Sequence, residues 1–204
     1  MAAATPGYQG GMSNITLTYF DFSASRGEEC RIALRLAGLA FTDRRVGRAE
    51  WATLKPTTPW GSMPLLEVDG RVIAQSNAIL TWIGTGRGLH PQDLWEAARH
   101  QAVMEAVEEF RHRFNPAFRE SDPEKKKAAR EEAVATLIPT WGAYFEAQLG
   151  DGPFLGGSTI GVADVKLYIL GRWFKSGVLD HVPSTVWSGF PKLEAHYAAV
   201  SAAV

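Results

Sequence analysis

Two short segments contain the residue types needed to hold an extended, acidic ligand. In the first, Met63-Pro64 precedes an apolar run. The proline either simply begins a strand or forms a cis bond with Met63. A cis bond would leave the backbone N–H and C=O of Met63 free to pair with a peptide-like ligand, as in strand addition. In the second, Gln75-Ser76-Asn77 opens a helical pattern, so Ser76 or Asn77 is predicted to cap the helix. The free N–H groups of such a helix start also bind carboxylates.

Three further side chains, outside these two segments, could also contact such a ligand. Tyr19 ends the first predicted strand, where open sheets usually bind ligands, although a core tyrosine with a hydroxyl at the solvent is the alternative. Trp51 and Lys55 lie four residues apart and share one face of a short helix, so an indole N–H and an ammonium could hold a second carboxylate. Arg26 and Glu28 by themselves indicate only surface charge. Together these residue types favour a small anionic peptide as the ligand.

The periodicity of the first half predicts the elements that position these residues. Alternating β-formers and helical apolar spacing indicate a β-α-β unit followed by a β-β-α unit. The predicted strands are 15–20, 41–46, PLLEV and RVIA, and the predicted helices are 28–37 and 76–84. Gly38 is expected to stop the first helix, and Asp69-Gly70 suits a type I′ hairpin turn because glycine tolerates a positive φ.

The second half is predicted to be helical throughout. We expect a flexible lead at 1–13, an α/β half at 14–85, a linker at 86–91 and an all-helical half at 92–204. A stripe of apolar residues at three- and four-residue spacing predicts a long helix that ends at Asn115-Pro116. The stripe comprises Trp95, Ala98, Ala102, Val103, Ala106, Phe110 and Phe114. Further helices are predicted at 123–149, kinked around Pro139, at 162–175 and over FPKLEAHYAAVSA.

Composition excludes several classes of function. With 204 residues and a net charge of -1, the chain gives no electrostatic reason to bind nucleic acid, and the basic run at 125–127 is flanked by glutamates as on a solvated helix face. Its single cysteine, Cys30, excludes an intramolecular disulfide and any multi-cysteine metal site, and fits a reducing compartment. No apolar run is long enough to predict a membrane-spanning helix.

Three segments resemble a known family: LTYFDFSASRGEECRIAL, AEWATLKPTTPWGSMPLLEVDG and IAQSNAIL. They are similar to the cytosolic glutathione transferases, most closely the sigma class and its tyrosine-type relatives. The resemblance covers 14–204 and is strongest in the first half, where W-x-x-x-K, G-x-M-P-x-L-E-V-D-G and Q-S-x-A-I occur in order and at family spacing. It implies an α/β thioredoxin-like N-terminal domain that binds glutathione, and an all-α C-terminal domain that supplies an electrophile pocket and dimer contacts.

The resemblance also implies a role for each candidate residue. The glutathione-binding residues would be Tyr19 at the sulfur, Trp51 and Lys55 at the glycine carboxylate, Met63 and Pro64 at the cysteinyl unit, Gln75 and Ser76 at the γ-glutamyl end, and Glu105 reaching the neighbouring subunit's glutathione. Tyr19 and Arg26 would be catalytic, because a hydrogen bond and a nearby positive charge favour the thiolate. Candidates for the pocket are Phe22, Phe110, Phe114, Trp173 and Phe174.

The protein implied by this resemblance is a cytoplasmic homodimer active in detoxification. It would transfer glutathione, its cosubstrate, to a small hydrophobic electrophile without a metal. Two positions depart from the family pattern. The loop after Tyr19 is one residue longer, so Ser23 or Ser25 could face the sulfur instead. Gly161 stands where the family has a capping serine or threonine, three residues before Asp164.

Other functions remain open on the same fold. A glutathione-dependent isomerase would share every site residue and differ only in the pocket. A non-catalytic glutathione-binding member would be expected to lack the sulfur-site hydroxyl, which Tyr19 supplies. A thiol-disulfide oxidoreductase would need a cysteine in the loop 19–27, whereas Cys30 lies beyond it, inside the predicted helix.

Overall fold

A four-stranded sheet with three helices forms the first half of the protein, as described by a computed structural model of residues 14–204. The flexible lead predicted at 1–13 lies outside the described residues. The elements of this half are β1 (Ile15–Phe20), α1 (Ser25–Leu36), β2 (Thr42–Val46), α2 (Arg48–Leu54), β3 (Leu65–Val68), β4 (Arg71–Ala74) and α3 (Ser76–Gly84).

The strands lie in the order β2-β1-β3-β4. β1 pairs parallel to β2 and antiparallel to β3, and β3 pairs antiparallel to β4. This arrangement confirms the predicted β-α-β and β-β-α units, with α1 as the crossover that two parallel strands require. Asp69 and Gly70 both have positive φ, 50° and 79°, as the two central residues of a type I′ turn must. The sheet places the end of β1 beside the start of β3, which follows Pro64.

Five helices and one short π-helical segment form the second half. The helices are α4 (Leu94–Arg119), α5 (Pro123–Glu132), α6 (Ile138–Gln148), α7 (Val162–Lys175) and α8 (Pro191–Ala203). The π-helical turn Ala133–Leu137 joins α5 to α6 directly before Pro139, where the sequence predicts a kinked pair. No helix within 14–204 is long and apolar enough to cross a membrane.

Helix α4 departs from its prediction in two ways. It continues through Pro116 to Arg119, although Asn115-Pro116 was expected to end it. A proline interrupts one helical hydrogen bond, but here it lies in the last turn, where buried Ala117 packs against the core and Glu120 N–H donates to the Pro116 carbonyl. In addition, Trp95, Ala98 and Ala102 are exposed, so the expected stripe was wrong at its start. The buried face consists of His100, Val103, Met104, Val107, Phe110, Phe114 and Ala117.

Helix α7 lies at the centre of the molecule. It packs against α4 and α8 of its own half and against α1 and α3 of the sheet half. Most of its residues are buried, as its apolar sequence predicts. Its start is held by Asp164, whose Oδ2 accepts a hydrogen bond from the Gly161 N–H at 2.8 Å. The carboxylate therefore satisfies the N–H of Gly161, which is one of the two hydrogen bonds of a capping box, and the other is missing because glycine has no side chain.

Candidate active site

The Met63-Pro64 bond is cis, as one of the two interpretations of this pair proposes. The bond lies between the 3-10 turn Pro59–Gly61 and the first residue of β3. On the same side, Trp51 lies in α2 and its ring contacts Phe20 edge-on, with the centroids 5.9 Å apart. Lys55 begins the next turn and its Cε passes within 3.6 Å of the position that a Cβ on Gly61 would occupy. Trp51 therefore lies against the end of β1, and Lys55 lies against the loop that leads to Pro64.

Tyr19 is buried at the end of β1, with only 5% of its surface exposed. Its ring lies against Gly27, and Phe22 packs edge-on against it at 5.5 Å. Burial raises the pKa of Tyr19 above its ordinary value, although a hydrogen bond from Ser25 and the charge of Arg26 oppose the shift. The phenol is therefore protonated at neutral pH and can donate a hydrogen bond.

The two serines after Tyr19 have different environments. Ser25 is the first residue of α1, has a positive φ of 57°, and its side chain acts to lower the pKa of Tyr19. Ser23 lies earlier in the loop, and its carbonyl accepts a hydrogen bond from Arg172 at 2.7 Å. Of the two alternatives to Tyr19, Ser25 is therefore the one whose side chain acts on the pKa of the phenol.

Two adjoining clefts open next to these residues. The smaller, of about 420 Å³, is lined by Arg26, Gln75, Ser76, Asn77, Ala78, Gln101, Glu105 and Glu108. The larger, of about 590 Å³, is lined by Phe22, Ala24, Ser25, Arg26, Glu108, Arg111, His112, Asn115, Phe118, Arg119, Ile169 and Trp173. Because Arg26 and Glu108 line both, the clefts meet at that ion pair. One is polar at a helix start, and the other has aromatic walls.

The aromatic candidates for the pocket divide into two groups. Phe22 and Trp173 line the larger cleft, as predicted. Phe110, Phe114 and Phe174 are fully buried and contact one another in the core, so their assignment to the pocket was wrong. They fall on the inner faces of α4 and α7, which the helical period alone does not distinguish from a face that lines a cleft.

The start of α3 also differs from its prediction. Gln75, with a φ of 74°, occupies the N-cap position, and no side chain caps the helix there. Neither Ser76 nor Asn77 is the cap, because α3 begins at Ser76 and the N-cap position therefore falls on Gln75. The Ser76 Oγ instead accepts a hydrogen bond from Lys166 Nζ at 3.2 Å. Ser76 is 4% exposed at the wall of the smaller cleft.

A buried ionic cluster supports both clefts. Arg26 donates to Glu108 Oε2 through Nε at 2.9 Å and Nη2 at 2.5 Å. Lys166 and Arg111 each pair with both Glu108 and Glu29. Burial alone would raise the pKa of Glu108, but Lys166, Arg111 and Arg26 hold it far below its ordinary value, and Arg111 and Lys166 likewise outweigh burial to lower the pKa of Glu29. Both carboxylates therefore stay ionised, so Arg26 is held in place by a charged partner.

Glu105 lines the smaller cleft of its own chain, together with Gln75 and Ser76. Its carboxylate is exposed and accepts a hydrogen bond from Gln101 at 2.6 Å. An acidic group at that position can face a ligand ammonium. Within 14–204, no three His, Cys, Asp or Glu side chains are grouped to hold a metal ion.

Sequence reasoning missed two residues of this region. Lys166 is fully buried in α7, and its only local indication is a lone lysine inside the apolar run VADVKLYIL. Asn77 was considered only as a cap. In the structure its Oδ1 is buried at the smaller cleft, without a hydrogen-bond partner among the described residues.

Comparisons with known proteins agree with this architecture. The family model of the glutathione S-transferase N-terminal domain matches residues 15–85, and that of the C-terminal domain matches residues 108–203. The chain is 33% identical to hematopoietic prostaglandin D synthase of Gallus gallus over 75% of each chain. It is 39% identical to glutathione S-transferase 1 of Ascaris suum over 60% of this chain and 61% of that protein.

A solved structure extends the similarity to nearly the whole chain. The prostaglandin synthase D of Nilaparvata lugens superposes with a TM-score of 0.81 at 28% identity, over 92% of both chains. The two family models and these relatives account for both halves of the molecule. The chain therefore belongs to the glutathione S-transferase family.

Proposed function

We propose that this protein is a glutathione transferase, which activates the thiolate of glutathione for attack on a small hydrophobic electrophile. The observation that supports the proposal best is the position of Tyr19. Its buried, protonated hydroxyl lies by Ser25 and Arg26, two residues that line the cleft with aromatic walls. A thiol held there would have a hydrogen-bond donor on one side and an apolar space on the other.

The remaining candidates suit the other parts of the tripeptide. Trp51 and Lys55 would bind the glycine carboxylate, and the backbone of Met63 next to Pro64 would pair with the cysteinyl unit. The γ-glutamyl end would occupy the smaller cleft at the start of α3. Its carboxylate would face the N–H groups of that helix start and Ser76, next to Gln75. Its ammonium would face Glu105 of the same chain, instead of the neighbouring subunit's Glu105 that the resemblance implies, because Glu105 lines this cleft together with Gln75 and Ser76.

The chemistry requires a lowered thiol pKa. A free cysteine thiol titrates near about 8.5, so only a few per cent is thiolate at neutral pH. A hydrogen bond from Tyr19 to the sulfur favours the charged form, and each pKa unit corresponds to roughly 1.4 kcal/mol. Arg26 adds a positive charge nearby. Glutathione is the cosubstrate, and no metal takes part in this scheme.

Titration calorimetry with glutathione tests the proposal directly. We expect saturable binding, and weaker binding of γ-glutamylcysteine, which lacks the glycine carboxylate assigned to Trp51 and Lys55. Conjugation of an activated aryl halide should follow binding. A chain that releases no heat with glutathione and conjugates nothing would contradict the proposal, whereas binding without turnover would indicate a non-catalytic glutathione-binding member.

A glutathione-dependent isomerase is the second candidate function. It is favoured by the two similar proteins whose names state prostaglandin D synthesis, and it agrees with a sigma-class, tyrosine-type affiliation of this chain. The same residues would activate the thiolate, and the thiol would be regenerated at the end of each cycle. Formation of prostaglandin D without net consumption of glutathione would favour the isomerase over the transferase.

We further infer that the protein forms a homodimer in the cytoplasm, in a detoxifying role. Trp60 is 79% exposed in the loop before Pro64. A groove of about 700 Å³ between α4 and α6 offers apolar and aromatic walls to such a side chain of a second copy. The walls include Ala102, Val103, Ala106, Trp141, Tyr144 and Phe145. Burial of a tryptophan in a pocket is a common anchor of protein interfaces.

Truncation of Trp60 is expected to weaken the dimer. We expect Trp60→Ala to raise the dimer dissociation constant at least about 30-fold, because interface hot-spot residues are worth roughly 2 kcal/mol or more. Sedimentation velocity over a concentration series measures the shift. Trp95→Ala is the matched control, since Trp95 is almost as exposed, at 77%. A wild-type chain that sediments as a monomer, or equal shifts in both variants, would contradict this interface.

A further inference from the structure

One buried side chain touches the start of α3 from inside the protein. Lys166 is 0% exposed, and its Nζ lies 3.0 Å from Glu29 Oε2, 2.6 Å from Glu108 Oε1 and 3.2 Å from Ser76 Oγ. An ammonium has three donors and no acceptor. Lys166 therefore donates one hydrogen bond to each of these three oxygens, and Ser76 is the only uncharged residue among the three partners.

The direction of this contact determines what Ser76 can do. Because Lys166 can only donate, the Ser76 oxygen must accept, and the hydroxyl proton of Ser76 has to point elsewhere. Ser76 lines the smaller cleft, so an acceptor on a ligand bound there is available to this proton. A hydroxyl that accepts from a cation is also polarised towards donating, which strengthens its hydrogen bond to a carboxylate.

The net charge of the cluster also favours a ligand carboxylate at this cleft. Three cations, Arg26, Arg111 and Lys166, face two carboxylates, Glu29 and Glu108, so the cluster carries one excess positive charge beneath the cleft. Both carboxylates already have cationic partners. A ligand carboxylate at the start of α3 would neutralise the excess positive charge of the cluster.

We propose that Lys166 is a positioning residue for the γ-glutamyl carboxylate of glutathione: it orients the hydroxyl of Ser76 and supplies positive charge behind it, without touching the ligand. The inference rests on the proposed function and deepens it, since it assigns selectivity for that one carboxylate to a residue of the helical half. The ammonium and the cysteinyl unit of the same ligand do not depend on Lys166.

Two tripeptides distinguish this role from a merely structural one. Glutathione carries the carboxylate, whereas 4-aminobutyryl-cysteinylglycine keeps the amine of that end and lacks the carboxylate. By titration calorimetry, Lys166→Met should raise the Kd of glutathione about 10-fold, the effect of one charge-assisted hydrogen bond. The Kd of the analogue should change less than roughly 2-fold. In a Ser76→Ala background, Lys166→Met should have a clearly smaller effect, because the contact with Ser76 is already absent and only the loss of positive charge remains.

Two more variants serve as controls. Arg111→Met removes another buried cation of the cluster that does not contact Ser76, so its effect on the Kd of glutathione should be smaller than that of Lys166→Met and should be the same with and without Ser76. Lys166→Met leaves buried carboxylates without one of their cationic partners and could prevent folding. In that case the double variant Glu29→Gln/Lys166→Met, which removes one charge of each sign, is compared by the same measurements.

The outcomes separate this inference from the proposed function. Equal weakening of both tripeptides by Lys166→Met, or undiminished weakening in the Ser76→Ala background, would show that Lys166 only stabilises the fold. A wild-type chain that binds neither tripeptide would instead contradict the proposed function. Selective loss of glutathione affinity, larger when Ser76 is present than in the Ser76→Ala background, is the expected result.

Discussion

Replacement of Tyr19 by phenylalanine is expected to lower kcat/KM for conjugation about 10- to 100-fold while leaving glutathione affinity nearly unchanged. The reason is the loss of one hydrogen bond to a charged sulfur, which is worth roughly 1.5–3 kcal/mol. In the wild type that bond favours the thiolate and lowers the thiol pKa. Without it, the pKa of bound glutathione should rise by about 1–2 units towards its free value, so less thiolate is present at neutral pH.

The ultraviolet absorbance of the thiolate, followed against pH in the glutathione complex, measures this shift. Ser25→Ala is the companion variant, because the Ser25 side chain acts on the pKa of Tyr19 and is the alternative donor to the sulfur. If Tyr19 donates directly, Ser25→Ala should have the smaller effect. An unshifted titration in Tyr19→Phe, combined with a large shift in Ser25→Ala, would move the catalytic role to the serine.

Gly27→Ala is expected to destabilise the protein by about 2–3 kcal/mol and to remove most activity. Gly27 lies in the first turn of α1, and a Cβ there would overlap the ring of Tyr19. Alanine inside a helix normally stabilises by roughly 0.5–1 kcal/mol relative to glycine, so the overlap reverses the sign. Tyr19 belongs to a strand paired on both sides and has little freedom to retreat.

Thermal unfolding measures the cost, which corresponds to a decrease in Tm of about 4–10 °C for a chain of this size. Gly150→Ala is the control, because nothing lies within 4 Å of a Cβ at that position. It should change the free energy of unfolding by no more than roughly 1 kcal/mol, through the unfolded chain. A Gly27→Ala protein with the Tm and activity of the wild type would contradict the packing of Tyr19 against α1.

Local patterns were sufficient for much of the first half. The Asp69-Gly70 turn and the four residues next to it are enough to specify the hairpin. The bounds of β1 and α7 are those that their apolar spacing predicts. These elements could be predicted because strand alternation, helical period and turn residues act over a few positions. The cis bond at Met63-Pro64 was one of two local alternatives.

Other predictions failed where a distant contact replaced a local one. Ser76 suits a cap by residue type, but its hydroxyl is engaged by Lys166, 90 positions away in sequence. Phe110 and Phe114 suit a pocket wall, yet the packing of α7 against α4 encloses them. Pro116 suits a helix end, but the turn beyond it is retained by the burial of Ala117.

The amino-acid sequence by itself determined the order of the elements, the hairpin and the set of residue types from which a site for a small acidic peptide is proposed. Only the tertiary structure decided which charged groups meet. Lys166 reaches Glu108 across 58 positions and Glu29 across 137, and no local rule selects these partners. A buried ammonium is costly unless it is paired, so the packing of α1, α3, α4 and α7 around it specifies the cluster and, with it, the orientation of Ser76.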